Sequence, residues 1–364
     1  MHTDVKKFMR LAVALAAKAK GQTFPNPLVG AVLVKNNRVV GRGFHQKAGG
    51  PHAEIIAIRQ AGNKTKGATL FCTLEPCAHT GRTGPCVENI IAAGISKVYV
   101  GMIDPNPLNG GRGIRRLRNA GIDVRVSLCQ AEIHRLNEAF IKAMTKGMPR
   151  VTVKIAESLD GKTATRTGES QWITSPASRK FSHDMRRFFD GIMVGINTVR
   201  QDNPLLEPSP RYRNHRLTKI IVDSGLKISL ASRLLKTRQP VVIATVKTDP
   251  LKEKKLLRMG AEVIRTPSAQ GRVDLKKLLI QLHKREIRSV LVEGGAELIG
   301  SLLDEKLADA AMITIAPKMI GGRDALGAVG GCGVGSLRSA IRVKNISLHK
   351  IKEDLFFEGS LEYC

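Results

Sequence analysis

The spacing of apolar positions changes period several times along the chain, and the changes lay out two α/β units. Near the N-terminus Phe8, Leu11, Ala12 and Leu15 recur at three- and four-residue intervals, the mark of one helix face, with Thr3 or Asp4 available as a cap and Lys18 and Lys20 following. Residues 29–34 and 38–43 read as the strands of a hairpin. Ile55, Ile56, Ala57 and Ile58 predict one short helix and residues 87–93 another; strands are expected at 97–101 and 123–126, and a helical pattern covers 131–144. The polar, Gly- and Pro-bearing stretch Thr145-Lys146-Gly147-Met148-Pro149-Arg150 then marks a boundary. Beyond it the rhythm resumes with strands at 151–156, 191–195, 219–223, 240–245, 261–265 and 289–292. Neither an internal repeat nor a low-complexity segment interrupts this order. The expected class is α/β in two domains, the first an α/β sandwich, and 364 residues allow each domain its own core.

Chemistry concentrates in the first unit. His52-Ala53-Glu54 is followed by Pro76-Cys77 and, after eight intervening residues, Cys86. One imidazole and two thiolates can hold Zn²⁺ with a fourth position open, which suits activation of water rather than a closed structural site. Glu54, two residues beyond His52 at a helix start, can reach that water and carry protons without ligating the metal, the division of labour that zinc-dependent deamination needs. The partial positive charge of a helix N-terminus favours thiolate over thiol at Cys86. His79, between the two cysteines, is the candidate fourth ligand of the alternative, a closed structural site. The gap from Cys77 to Cys86 exceeds the C-x-x-C spacing of nucleic-acid and nucleoside deaminases and places Arg82 among glycines, a loop suited to covering a small anionic substrate.

Charge and cysteine content narrow the context. With 59 basic and 31 acidic residues the chain carries +28, enough to raise a polyanion as partner. The basic residues are dispersed, however. Arg112, Arg115, Arg116 and Arg118 form one cluster and Arg211, Arg213 and Arg216 another, and neither has the aromatic array of a stacking platform in a chain with one Trp and three Tyr. Six scattered cysteines do not make a disulfide framework. Lys6, Lys7 and Arg10 ahead of Leu11 and the alanines imitate a signal peptide weakly; the amphipathic helix accounts for them better. A cytoplasmic protein is expected, with no membrane span and no nucleic acid as partner.

At the level of motifs the chain resembles the bifunctional deaminase–reductase family of riboflavin biosynthesis over nearly its whole length. The resemblance rests on Thr23-Phe24-Pro25-Asn26-Pro27-Leu28-Val29-Gly30, the His52 and Cys77 segments, Asp104-Pro105-Asn106-Pro107 and Gly111-Arg112-Gly113-Ile114 in the first unit. In the second it rests on Ser158-Leu159-Asp160-Gly161-Lys162, Ser170-Gln171-Trp172-Ile173-Thr174-Ser175, Val194-Gly195, Thr198-Val199, Asp202-Asn203-Pro204, the stretch from Glu293 to Gly300, Ala316-Pro317-Lys318 and Gly321-Gly322. The glycine pair after a strand is by itself only a weak phosphate-cradle signal, and it is not a dinucleotide-binding fingerprint.

The resemblance implies a cytidine-deaminase-like α/β/α sandwich over residues 1–147 and a domain similar to dihydrofolate reductase over 148–364. It implies hydrolytic deamination of 2,5-diamino-6-ribosylamino-4(3H)-pyrimidinone 5′-phosphate with one Zn²⁺ per chain on His52, Cys77 and Cys86, then reduction of the ribosyl side chain to ribityl by NADPH. Carried over position by position, Asn26, His45, Arg82, Asp104 and Asn106 meet the first substrate, and many members of the family have Lys at the position of Arg82. Lys154, Ser170, Arg186, Leu206 and Glu293 meet the second. Ala156, Trp172, Thr198, Asp202, Gly294, Gly295, Ala296, Glu297, Leu298, Ile299 and Gly300 fall where the dinucleotide binds. Lys154 and Glu293 are the expected proton donor and carboxylate that open the sugar to an imine, and Arg186 the expected grip on phosphate. Besides the phosphorylated pyrimidine, the expected partner is another copy of the chain. The rivals are a nucleic-acid base deaminase with an accessory domain and a basic binding protein with structural zinc.

Overall fold

The structure, a computed structural model, describes residues 2–79, 84–267 and 270–364. Two compact units, Met1–Met148 and Pro149–Cys364, divide the chain. Among the described residues no helix is long and apolar enough to cross a membrane, and all six cysteines are free.

The first unit contains α1 (His2–Ala17), β1 (Gly30–Lys35), β2 (Arg38–Phe44), α2 (Ala53–Ala61), β3 (Thr69–Leu74), α3 (Cys86–Ala92), β4 (Lys97–Met102), α4 (Arg112–Asn119), β5 (Asp123–Val126), α5 (Gln130–Leu136) and α6 (Glu138–Lys146). Its sheet has the order β2-β1-β3-β4-β5; β1 is antiparallel to both neighbours and β3, β4 and β5 are parallel. Two glycines show how closely the helices lie on it. A Cβ on Gly30 would fall 2.0 Å from the Ala12 carbonyl oxygen in α1, and one on Gly43 would fall 2.1 Å from that of Ala53 in α2. Ala31 is paired with Gly43, so Gly30, its neighbour along the strand, faces the other way and the two helices cover opposite faces. This is the expected α/β/α sandwich. Coverage on both sides explains why β1 is buried along nearly its whole length.

Helix α1 buries Phe8, Met9, Ala12, Leu15 and Ala16, each large side chain contributing about 1.5–3 kcal/mol by leaving water, while Leu11 is only half-buried. It begins at His2, so Thr3 and Asp4 lie inside its first turn rather than ahead of it; helix starts move by a residue or two. Strand β3 and helix α4 were not anticipated. The arginines of α4 hide a short apolar stripe, Ile114 and Leu117, which is buried.

The second unit contains β6 (Arg150–Ser158), α7 (Pro176–Met185), β7 (Gly191–Gly195), α8 (Ile196–Asp202), β8 (Thr218–Val222), β9 (Val241–Thr245), α9 (Pro250–Arg258), β10 (Ala261–Arg265), α10 (Leu275–Lys284), β11 (Ser289–Glu293), α11 (Ala296–Asp304), β12 (Ala310–Ala316), β13 (Arg342–Ile351) and β14 (Asp354–Glu362). Its sheet runs β10-β9-β8-β7-β11-β6-β12-β14-β13, parallel as far as β12 and antiparallel at the last two strands. All six expected strands are present; β12, β13 and β14 are additional. Helix starts follow side-chain chemistry: Ser175, Asp249 and Asp274 each accept a backbone N–H of the first turn of α7, α9 and α10, with proline next in line in the first two.

Candidate functional site

Three elements deliver the first cluster. His52 is the cap residue ahead of α2, Cys77 sits in the turn after β3, and Cys86 opens α3 behind Pro85. Their ligand atoms lie within 4.8 Å of one another, with His52 Nδ1 3.0 Å from Cys86 Sγ and 3.6 Å from Cys77 Sγ. His79 does not join this group. The two sulfurs act on each other: the interaction with Cys86 draws the Cys77 thiol down, and the interaction with Cys77, with burial, pushes the Cys86 thiol up. The first amide of α3, Cys86 N–H, donates to Cys77 Sγ at 3.3 Å, so the positive end of this helix also favours thiolate at Cys77. Glu54, in the first turn of α2, is 3% exposed, and burial raises its carboxyl to about 7.

Around this cluster His45 Nδ1 donates to the Pro51 carbonyl at 3.2 Å, which leaves Nε2 as the acceptor for Asn26 Nδ2 at 3.0 Å. Burial lowers the pKa of His45 and so favours this neutral ring, which stands edge-on to His52 with centroids 5.6 Å apart. Asp104 is buried and raised to about 6, chiefly by desolvation. It accepts from the Asn106 amide at 2.9 Å, and Asn106 Oδ1 in turn accepts from the Leu108 amide.

In the second unit β11 lies beside β6 with Glu293 in register with Lys154. Ala156 is two residues along the same strand, on the same face as Lys154. Arg186 is buried and grips Glu293 with both arms of its fork, Nε to Oε1 at 2.8 Å and Nη2 to Oε2 at 2.9 Å, while Nη1 donates to the Glu207 carbonyl at 2.7 Å. Burial would raise the Glu293 carboxyl, but this guanidinium holds it at about 2. At the end of β11 Gly294 and Gly295 have φ of +83° and +79°, and their α-carbons face Thr198 of α8. Asp202 closes α8 and is exposed, Leu206 is buried with φ +52°, and Ser170 is exposed in the β6–α7 connection. Trp172 is also exposed, with the Arg179 guanidinium 4.3 Å from its ring centroid.

Residues 2–102 match the cytidine and deoxycytidylate deaminase zinc-binding region, and residues 149–357 match the RibD C-terminal domain. The riboflavin biosynthesis protein RibD of Aquifex aeolicus is 43% identical over 96% of both chains. The Escherichia coli protein of that name is 40% identical over 86% of this chain and 88% of its own. The chain belongs to the RibD family. Its members are enzymes with two activities, deaminase and reductase, and so is this chain. Among solved structures, RibD from Acinetobacter baumannii superposes with a TM-score of 0.89 at 35% identity over 99% of both chains. A Thermotoga maritima diaminohydroxyphosphoribosylaminopyrimidine deaminase/5-amino-6-(5-phosphoribosylamino)uracil reductase does so at 0.85, also at 35% identity, over 100% of this chain and 99% of its own.

The structure departs from several expectations. The donors with which Arg186 was expected to hold phosphate are engaged by Glu293 and the Glu207 carbonyl, and the residue is buried. Within the glycine stretch, Leu298, Ile299 and Gly300 turn into the core of α11, and Ile299 N–H is already bonded to the Gly295 carbonyl. From the fourth helical residue on, amides serve the helix itself. Arg82 lies outside the described residues. The second arginine cluster does contain an aromatic, Tyr212, whose ring is covered by the Arg187 and Arg211 guanidinium groups at 4.2 and 5.7 Å. His183 was not anticipated; its ionisation is depressed by burial and then by Arg186, and it also senses Glu293 and Lys154. Its place three residues before Arg186 on one helical turn was the available signal. Glu75 and Asn109, which hold the Asp104 loop, were also passed over.

Proposed function

We propose that the unit spanning residues 1–147 deaminates 2,5-diamino-6-ribosylamino-4(3H)-pyrimidinone 5′-phosphate and that 148–364 reduces the product's ribosyl group to ribityl. The observation that carries this reading is the convergence of His52, Cys77 and Cys86 with a buried Glu54 in the first turn of α2, the helix that His52 caps. Three ligands of this type fit Zn²⁺ with a position left for water, and bound zinc supplies the Lewis acidity that makes water a nucleophile near neutral pH. Glu54, poised near neutrality by burial, takes up and returns protons at its carboxylate oxygens. Asn26, His45 and Asp104 read the polar edges of the pyrimidine and its ribose.

In the second unit NADPH supplies the hydride. Lys154 delivers the proton that opens the sugar, and Glu293, held ionised by Arg186, stabilises the developing cation. Thr198 and the amides behind Gly294 and Gly295 support the dinucleotide, with Trp172, Asp202 and Ala156 at its margins. The enzyme works in the cytoplasm as a homo-oligomer, on small phosphorylated pyrimidines rather than nucleic acid.

The test is to measure zinc, ammonia release and NADPH oxidation in the full-length protein. Glu54→Gln should keep its zinc and lose about 10²–10⁴ in ammonia release; Cys77→Ala should lose zinc as well. Normal turnover in Glu54→Gln removes the role given to Glu54, and loss of zinc on replacing His79 alone supports a closed structural site. Failure to oxidise NADPH with the deaminated product removes the reductase assignment.

A further inference from the structure

The turn that carries Cys77 and the loop that carries Asp104 and Asn106 are joined by two buried side chains, Glu75 and Asn109, which are 3% and 0% exposed. The Glu75 carboxylate accepts three backbone amides from that loop and the helix after it: Asp104 at 3.1 Å and Gly111 at 2.9 Å on Oε2, and Ile114 at 3.2 Å on Oε1. Asn109 reaches in the opposite direction. Its Oδ1 accepts from the Ala78 amide at 3.0 Å, and its Nδ2 donates to the Pro76 carbonyl at 3.4 Å, so one side chain brackets the backbone on both sides of Cys77. The same Nδ2 lies 3.3 Å from Asp104 Oδ2. The start of α4 closes on this turn as well: a Cβ on Gly113 would fall 2.0 Å from the Pro76 carbonyl oxygen.

A carboxylate is an acceptor at both oxygens, and every contact made by Glu75 uses that property. An amide in its place would turn N–H groups toward backbone N–H groups, and buried donors left without acceptors cost free energy that the loop recovers only by moving. Asn109 is likewise matched on both of its atoms, to an N–H on one side and to oxygens on the other. Neither residue is among those expected to touch substrate or metal. Both are arranged to set the separation between groups that are.

We propose that Glu75 and Asn109 are positioning residues for deamination, locking the Asp104–Asn106 recognition loop to the Cys77 turn so that the pyrimidine meets the metal site in one pose. The proposal rests on the reading of Asp104 as a substrate contact and of Cys77 as a ligand. Losing the lock shifts the substrate relative to the reacting water, and a displacement of about 1 Å is enough to cost roughly a hundredfold in rate.

The experiment compares full-length Glu75→Gln, Asn109→Ala and Asp104→Ala with the unaltered protein, reading zinc content, KM and kcat for ammonia release, and NADPH oxidation with the deaminated product. Glu75→Gln and Asn109→Ala should keep one zinc per chain and unaltered NADPH oxidation while KM rises about tenfold and kcat falls about a hundredfold. Unchanged KM and kcat in both variants overturn the proposal. So does zinc loss in proportion to activity, since the two residues would then serve only the ligand turn. An unchanged KM in Asp104→Ala removes the recognition reading and the proposal with it; a raised KM there, with both lock variants behaving normally, overturns the lock alone.

Discussion

Replacing Gly43 by Ala puts a methyl group into the backbone of the helix that carries Glu54. The added Cβ would stand 2.1 Å from the Ala53 carbonyl oxygen, 2.8 Å from Ala57 N and 2.9 Å from Ile56 Cβ. Two of these neighbours are backbone atoms and the third is anchored directly to the backbone, so no flexible side chain can swing away. Restoring ordinary contact moves α2 off β2 by roughly 1 Å, and overpacking of this kind costs about 1–3 kcal/mol. In a unit of this size that lowers the melting temperature by roughly 3–10 °C. The displaced segment follows His52 directly and includes Glu54, so ammonia release should fall more steeply than stability does, by up to about a hundredfold. Thermal melting, zinc content and ammonia release of Gly43→Ala would be compared with those of Gly335→Ala, where an added Cβ meets nothing within 4 Å. Identical melting and undiminished ammonia release in Gly43→Ala would refute the claim that the α2 backbone lies directly on this strand.

Two further outcomes follow from the electrostatics. Arg186→Leu strands the Glu293 carboxylate in a buried position and should cost about 3–5 kcal/mol of stability, with NADPH oxidation lost; Arg186→Lys should restore charge without the two-armed grip and recover only part. Because burial is outweighed by Arg186 and folded Glu293 titrates at about 2 rather than 4.5, its contribution is present above pH 4.5 and disappears as pH falls toward 2. A melt of Arg186→Leu that matches the parent protein, or the same acid limb in both, contradicts this account. Asp104, raised to about 6 mainly by burial, is ionised above that value, so KM for deamination should rise as pH drops through 6 while KM for the reductase substrate stays level; a flat deaminase KM from pH 5 to 8 would contradict it.

The His52, Cys77 and Cys86 group, which could hold a metal ion, was legible in the sequence because each member sits in a recognisable local setting. His52 and Glu54 are two residues apart at a helix start, and each cysteine follows a proline that restricts its backbone. Strands with an apolar core-facing run, such as β8 and β11, were legible for the same reason. Strand β12 is a short apolar run that periodicity cannot tell from a buried helix, and β13 is exposed along most of its length, so only its ladder with β14 makes it a strand.

What the tertiary structure alone decided concerns partners far apart in the chain. Arg186 sits on the same short turn as Arg187, and nothing local separates a surface cation from a buried one; Glu293, 107 residues away, makes the difference by arriving at 2.8 Å. Glu75 and Asn109 carry no motif of their own, and they acquire a task when the 104–114 segment folds against the Cys77 turn. A sequence displays which groups are available for chemistry. Which of them face each other depends on the strand order, because distance and desolvation, the quantities that set hydrogen bonds and pKa values, exist only once the strands are paired.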